Sequence, residues 1–184
     1  MPKKTVKAPS RFVLSLFISG LIVLTIPISW NMYQGSVLSF TTLPQTIEPN
    51  TQPSIPPVKI RIPRFSIDLP IEEAQIKNGI WQINSKGASH LAISANPGDK
   101  GNIILYGHNK KNLFGKARGL KIGDEIDIIS KDGKEFIYKI TETKIVAPTD
   151  ISVVAPTTGE VLTFYTCTGF LDTKRFVVKA RPVN

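Results

Sequence analysis

The sequence predicts an all-β domain that forms a closed barrel or a sandwich, preceded by a non-globular N-terminus. From Val58 onward, short runs rich in β-branched and aromatic residues alternate with turn residues, which indicates seven or eight strands. Only residues 87–95 and 150–155 in this region favour short helices. Many short strands with little helix are typical of barrels and sandwiches.

The first element is the apolar run FVLSLFISGLIVLTIPISW (12–30), which follows a basic segment (1–11). Uncharged throughout, it is long enough to span a hydrocarbon core of about 30 Å at about 1.5 Å per residue. Four basic residues precede it and none follows before Lys59, which predicts a cytoplasmic N-terminus. A cleaved signal peptide is the alternative, but NMYQGSVLSF offers no persuasive cleavage site. We therefore expect an uncleaved, single-pass anchor, with everything after Trp30 outside the cell.

Residues 31–56 change to Thr, Gln, Ser and Pro, as in TTLPQTIEPNTQPSIPP. Such a segment has too few large apolar residues to pack and too many prolines for a helix, so it predicts an extended spacer. The folded domain then occupies 57–184.

The strands of this domain follow in order. The first, VKIRIPRFSI, contains a proline, which favours an edge position. Asp132-Gly133, at the centre of Ser130–Glu135, predicts a hairpin turn between two later strands. The remaining predicted strands are GIWQI, GNIILYGH, DEIDIIS, KEFIYKITETKIVA, EVLTFYTC and RFVVKARP.

Charge and metal-ligand content exclude two function classes. The net charge of +9 falls to about +6 after Pro57, where 19 Lys and Arg face 13 Asp and Glu. These charges are mixed rather than clustered with aromatic residues, which argues against nucleic-acid binding. The spacing of His90, His108 and Cys167 matches no zinc pattern, so we expect no metal and no cofactor.

Three polar side chains are predicted to meet at one rim of the barrel. Cys167 ends one strand and Arg175 begins the next, so a hairpin with strands about 4.8 Å apart would place them side by side. His108 ends a different strand, on the same face as Tyr106, while Cys167 shares a face with Tyr165. If these two strands are neighbours, imidazole, thiol and guanidinium converge.

This trio suits acyl transfer through a thioester. A thiol with an ordinary pKa near 8.5 needs a nearby base or cation, and His108 can serve as that base before it protonates a leaving amine. Arg175 keeps its proton, so it can only hold a carbonyl or stabilise an oxyanion. The alternative is that Cys167, the only cysteine, is an inert core residue and Arg175 a solvated charge.

The motifs TFYTC, a downstream Arg175 and an upstream YGHN resemble the sortases, membrane-anchored cysteine transpeptidases of bacterial surfaces. The likeness runs from about Val58 to the C-terminus and includes NPGDKGNIILYGHN and LKIGDEIDI. It places Cys167 on the nucleophile, His108 on the acid/base and Arg175 on the substrate and oxyanion residue. Phe164 departs from the family's usual Leu, which leaves the subclass open.

The resemblance implies an eight-stranded barrel at the extracytoplasmic side of the bacterial cell membrane. It would cleave surface proteins at a Leu-Pro-x-Thr-Gly sorting signal and pass the acyl group to an amine of a cell-wall peptide or a pilin lysine. Because the Asp-Pro lid motif of some relatives is absent, an open site is expected. The residues expected to contact substrate are Thr166, His90, Ile151, Val153 and Val154, of which His90 and the last three have a structural alternative.

Two other functions remain open. An L,D-transpeptidase also uses His, Cys and Arg, but its Ser-His-Gly-Cys motif differs from the Thr166-Cys167 found here. A non-catalytic barrel displayed on a membrane stalk would hold Cys167 as an inert thiol.

Overall fold

The computed structural model of the chain describes residues 11–12, 15–23, 25–26, 38–40 and 54–183. The chain divides into two compact units, Met1–Gln34 and Gly35–Asn184.

The described residues of the first unit are helical and exposed. Within the described ranges, no helix is both long and apolar enough to cross a membrane. The rest of the predicted anchor (12–30) and most of the predicted spacer (31–56) lie outside the described residues, so the anchor stays a prediction.

The second unit is all-β, as the sequence predicts. Eight of its strands close into a barrel in the order β1-β2-β5-β6-β9-β10-β8-β7, and β3 and β4 form a small separate ribbon. The strands are β1 (Pro57–Ile62), β2 (Ile67–Ala74), β3 (Ile76–Lys77), β4 (Ile80–Trp81), β5 (Ala88–Leu91), β6 (Asn102–Gly107), β7 (Glu125–Ser130), β8 (Glu135–Val146), β9 (Val161–Thr168) and β10 (Lys174–Pro182).

Two parallel contacts, β2 with β5 and β6 with β9, join the antiparallel parts of the barrel. The predicted hairpin between β7 and β8 is confirmed, and Gly133 takes a φ of 86° at its turn. The backbone N–H of Gly133 donates to the Ser130 carbonyl at 2.9 Å, which closes the turn. A residue without a Cβ adopts this positive φ at little cost.

Apolar residues form two separate clusters, one on each side of the strands that carry the site. The barrel interior includes Ile103 and Leu105 of β6 and Leu162 and Phe164 of β9. Alternate residues of the same strands face outward into a second apolar cluster, which includes Ile104, Tyr106, Tyr165 and Cys167. Because both faces of β9 are covered, all eight of its residues are buried. None of them is charged, as is typical of a strand that is buried on both faces.

The predicted short helix at 87–95 is wrong. Ala88–Leu91 form β5, which pairs with Glu72 and Glu73 of β2 on one side and with Tyr106 of β6 on the other. Ala, Ser, His and Leu have no strong preference for a strand, so the hydrogen bonds of two neighbouring strands and complete burial decide the conformation.

The second predicted helix, at 150–155, forms a 3₁₀-helix over Ile151–Val154. The Asp150 side chain accepts a hydrogen bond from the Ser152 backbone N–H and so caps its first turn. Three further 3₁₀ segments occur in the described residues, at Pro63–Phe65, Gly115–Gly119 and Phe170–Asp172.

We expect Gly87→Ala to destabilise the barrel. A Cβ at Gly87 would clash with the Pro70 carbonyl oxygen, so the backbone before β5 would have to shift away from β2. Overpacking of this kind costs about 1–3 kcal/mol, measurable as a lower midpoint of urea unfolding. Gly159→Ala is the matched control, because a Cβ there meets no atom closer than 4.0 Å. Equal midpoints for the two variants would contradict the expectation.

Candidate active site

The ends of β6 and β9 bring His108 and Cys167 to one rim of the barrel. The two strands pair in parallel with Gly107 opposite Thr166, and the next residue of each strand is His108 or Cys167. The Thr166 hydroxyl donates to the Gly107 carbonyl at 2.7 Å, which ties the two strand ends together. The predicted meeting of His108 and Cys167 required their two strands to be neighbours, and β6 and β9 are neighbours in the barrel.

Arg175 lies on the other side of Cys167. In the β9–β10 hairpin the two residues are directly opposite each other, as the eight-residue spacing predicts. The connecting loop holds two non-glycine residues in the left-handed region, Leu171 at φ 50° and Asp172 at φ 60°. Such a backbone costs about 1–3 kcal/mol per residue and is common near functional sites.

The Arg175 side chain is almost completely buried, with 2% exposed. One terminal nitrogen donates to the carbonyls of Asp172 and Lys174 at 3.0 and 3.1 Å, and the other donates to the Ser39 carbonyl at 3.3 Å. Its Nε is buried and has no hydrogen-bond acceptor among the described residues. A buried cation held by neutral carbonyls, with a donor unused, is costly to the fold and indicates a functional role.

His108 is half-buried, and the loop that follows it is hydrogen-bonded to the loop before Arg175. Burial lowers the pKa of the His108 imidazole and nearby Lys110 lowers it further, while Asp172 acts in the opposite direction. The Asn109 side chain donates to the Asp172 carboxylate at 2.6 Å, so the loop after His108 is bonded to the loop before Arg175. The imidazole is therefore neutral at neutral pH and available as a base.

Cys167 is only 3% exposed. Burial raises the pKa of its thiol to about 12. The charge of Arg175 lowers this pKa, and the charge of Asp172 raises it further. At neutral pH the resting pair is thus a neutral thiol and a neutral imidazole. The resting environment therefore disfavours the thiolate.

Residues Leu38–Phe40 of the predicted spacer, which we call the strap, place Leu38 and Phe40 in the apolar cluster that contains Cys167. Both apolar side chains of the strap are buried, and the Phe40 ring meets Tyr165 edge-on at a centroid distance of 5.0 Å. The open site expected from the absence of an Asp-Pro motif stays a prediction. That Leu38 and Phe40 are large apolar residues in a mainly polar linker is the sequence feature that could have indicated this packing.

Three other residues anticipated as substrate contacts belong to, or pack against, the outer apolar cluster that includes Cys167. Val153 and Val154 are buried in the outer apolar cluster, and Ile151 is half-buried against it. The carbonyl of Val153 also accepts a hydrogen bond from Asn102 at 3.3 Å, which fixes the 3₁₀-helix to β6. Their part in substrate binding stays a prediction.

Thr166 and His90 are fully buried and hydrogen-bonded within the protein. The Thr166 hydroxyl is engaged by Gly107, as described above. His90 Nδ1 lies 2.6 Å from Glu73 Oε1, and Nε2 lies 3.0 Å from the Ala95 carbonyl oxygen. These contacts give both residues a structural role, while the substrate contact predicted for each is untested.

Within the described ranges, no group of three or more His, Cys, Asp or Glu side chains is arranged to hold a metal ion.

The raised pKa of the Cys167 thiol leads to a prediction about its reactivity. We expect alkylation of Cys167 by iodoacetamide to be slow at neutral pH, because the reagent attacks the thiolate and the pKa lies near 12. The rate should climb about tenfold per pH unit and keep climbing beyond pH 9, where an ordinary thiol levels off near its pKa of about 8.5. A plateau near pH 8.5 would contradict the buried environment.

Comparison with known proteins agrees with this geometry. The family model for the sortase domain matches residues 60–183. Sortase D of Bacillus subtilis (strain 168) is 33% identical over 95 residues, which are 52% of this chain and 45% of that protein. This chain thus covers about half the length of that relative.

Solved structures show the same fold. Sortase A from Corynebacterium diphtheriae, as a lid mutant, has a TM-score of 0.61 and 26% identity over 73% of this chain and 74% of that chain. Sortase C1 from Streptococcus agalactiae has a TM-score of 0.60 and 26% identity over 69% of this chain and 67% of that chain. Since the family model covers nearly the whole barrel, this chain belongs to the sortase family.

Proposed function

We propose that this chain is a cysteine transpeptidase that cleaves a sorting signal through a thioester on Cys167 and transfers the acyl group to an amine. The observation that supports this most is the placement of Cys167 directly opposite Arg175, on a strand whose neighbour, β6, is followed at once by His108. Family membership supports the same chemistry.

The first half of the reaction forms the acyl-enzyme. As the Cys167 sulfur attacks the scissile carbonyl carbon, His108 takes the thiol proton, so the neutral resting pair becomes an ion pair only during attack. Arg175 donates to the oxygen that gains negative charge. His108 then returns the proton to the leaving amine, the peptide C–N bond breaks, and a thioester remains on Cys167.

The second half transfers the acyl group. An incoming amine attacks the thioester carbonyl while His108 removes one of its protons. The C–S bond breaks and the sulfur recovers a proton from the imidazolium. The new amide leaves, and the thiol and imidazole return to their neutral forms.

The proposed acyl donor is a surface protein with a Leu-Pro-x-Thr-Gly signal, cleaved after Thr. The proposed acceptor is an amine of a cell-wall peptide or a pilin lysine. Ile151, half-buried against the outer apolar cluster that includes Cys167, would offer apolar surface to such a signal, since burial of apolar surface favours binding.

Hydroxylamine transfer tests the function directly. The full chain would be incubated with a library of sorting-signal peptides and hydroxylamine, and the products identified by mass spectrometry. We expect a hydroxamate at the new C-terminus and an acyl-enzyme whose mass increase maps to Cys167. Hydroxamate formation by a Cys167→Ala variant would contradict the thioester mechanism.

A non-catalytic display barrel is the second candidate, and the burial of Cys167 is the observation that favours it. The same incubation separates the two functions. A display barrel would form neither hydroxamate nor acyl-enzyme with any peptide of the library.

We also propose that the chain is held in the bacterial membrane by residues 12–30, with the barrel outside. The uncharged run and the basic residues before it support this placement. In cells, the protein should sediment with membranes, and protease added outside should remove the barrel. A mature N-terminus located beyond Trp30 would overturn the anchor.

A further inference from the structure

We propose that Asn102 is a positioning residue, whose side chain holds the 3₁₀-helix Ile151–Val154 against the barrel and so sets the affinity for the acyl donor. This inference rests on the proposed function, because it concerns the surface that the donor peptide is proposed to contact. Asn102 begins β6, and His108 comes six residues later, which corresponds to about 20 Å at about 3.3 Å per residue. Asn102 therefore acts through the helix and not on the reacting atoms.

The first observation is that the Asn102 carboxamide binds two carbonyls at the end of the 3₁₀-helix. Asn102 is 4% exposed. Its Nδ2 donates to the Val153 carbonyl at 3.3 Å and to the Ala155 carbonyl at 2.9 Å. A carboxamide nitrogen carries two hydrogens, so it can serve both carbonyls at once. The side chain thus links the start of β6 to a helix end that lies 51 positions later in the sequence.

The second observation explains why this end of the helix needs a donor from elsewhere in the chain. Pro156 has no N–H, so it cannot donate to the Val153 carbonyl as the next residue of a 3₁₀-helix would. Proline also disfavours a helical conformation in the residue before it, and Ala155 is extended, with φ −63° and ψ 153°. Asn102 therefore supplies a hydrogen bond that the local sequence does not provide.

The third observation is that the hydrogen bonds at the two ends of the helix are long. The Asp150 carboxylate accepts from the Ser152 backbone N–H at 3.3 Å, and the Ala155 N–H donates to the Ser152 carbonyl at 3.4 Å. Both distances exceed the usual range for such bonds. Neither bond ties the helix to the barrel, whereas the two bonds from Asn102 do.

The burial of Asn102 also has an unfavourable side. Its Oδ1 is buried and has no hydrogen-bond partner among the residues that the structure describes. An unpaired buried acceptor destabilises a fold, and an apolar residue of similar size would avoid this penalty. The benefit of an asparagine at this position therefore lies in the two bonds from Nδ2.

The helix that Asn102 holds is part of the surface around the thiol. Val153 and Val154 are buried in the same apolar cluster as Cys167. Ile151, which is proposed to offer apolar surface to the sorting signal, packs against that cluster. A displacement of the helix would therefore move the surface that the donor is proposed to contact.

The expected effect of losing this hold is on donor affinity. Without the two bonds, only a fraction of the molecules keeps the helix in place, and the apparent affinity for the donor falls by that fraction. Once the donor is bound, the helix is back in place, and Cys167, His108 and Arg175 are unchanged. KM for the donor should therefore rise while kcat stays the same.

Asn102→Leu in the full chain tests the proposal, because leucine has a similar size and no side-chain hydrogen-bond donor. In hydroxylamine transfer, KM for the donor peptide should rise about tenfold, with kcat unchanged, if about a tenth of the molecules keeps the helix in place. Amide hydrogen exchange of residues 151–155 should become faster, while exchange in β7 should not change. Asn112→Leu is the matched control, because it makes the same substitution at an exposed asparagine.

The outcomes separate this proposal from the proposed function. An unchanged KM, a lower kcat without a rise in KM, or amide exchange at 151–155 equal to that of Asn112→Leu would overturn the proposal. If the wild type forms no hydroxamate with any peptide, the proposed function fails. Faster exchange at 151–155 in Asn102→Leu would then still support the hold on the helix, and unchanged exchange would contradict it.

A second variant covers the case in which leucine is not accommodated, as a melting curve would show. Asn102→Ala also removes the donor and adds no volume. In the folded variant, exchange at 151–155 should again be faster, and KM again higher, than in Asn112→Leu. Wild-type values of both quantities would count against the proposal.

Discussion

Cys167→Ala is expected to abolish acyl transfer to hydroxylamine, lowering kcat/KM by about 10⁴-fold or more, as removal of an enzyme nucleophile generally does. No other cysteine in the chain can replace the lost thiolate. Because the side chain is small and its backbone is held by both neighbouring strands, the melting temperature should change little. The measurements are kcat/KM, acyl-enzyme mass and thermal unfolding.

His108→Ala provides the control that separates nucleophile from base. It should also abolish transfer, yet its thiol should still be alkylated, since iodoacetamide needs no proton donor. His90→Ala should be milder for turnover, because His90 is bonded to Glu73 and Ala95 rather than placed at the rim. A loss of turnover in folded His90→Ala as large as in His108→Ala would reverse this ranking of the two histidines.

Arg175→Lys is expected to lower kcat/KM by about 10²-fold or more, the effect of removing a positioned oxyanion donor. Lysine keeps the positive charge but lacks the planar fork that donates to several carbonyls at fixed angles. It also cannot reproduce the contacts with Asp172, Lys174 and Ser39 together, so some loss of stability is expected as well.

Arg181→Lys is the matched control for this substitution, because Arg181 is an exposed residue of the same strand, β10. It should leave both turnover and melting temperature unchanged. If Arg175→Lys lowered the melting temperature but its folded fraction turned over as fast as wild type, Arg175 would be a structural residue.

The sequence by itself determined the features that depend on local geometry. Period-two alternation placed Tyr165 and Cys167 on one face of β9, because successive side chains of a strand point to opposite sides, and both lie in the outer apolar cluster with Tyr106. The face predicted for His108, which follows β6, stays a prediction. The short hairpin loop between β9 and β10 placed Cys167 opposite Arg175, because a short loop joins two strands that lie side by side. The motifs around these residues led to the sortase family, which the family model confirms.

Only the tertiary structure decided the features that depend on distant parts of the chain. The parallel pairing of β6 with β9 placed His108 and Cys167 just after two paired residues, although 59 positions separate them in the sequence. The strand at 88–91 formed where local preference favoured a helix, since neighbouring strands supplied hydrogen bonds on both sides. The strap packed against Tyr165 and Trp81, and Arg175 lost its contact with solvent, because burial and desolvation are properties of the packed chain, which no local pattern contains.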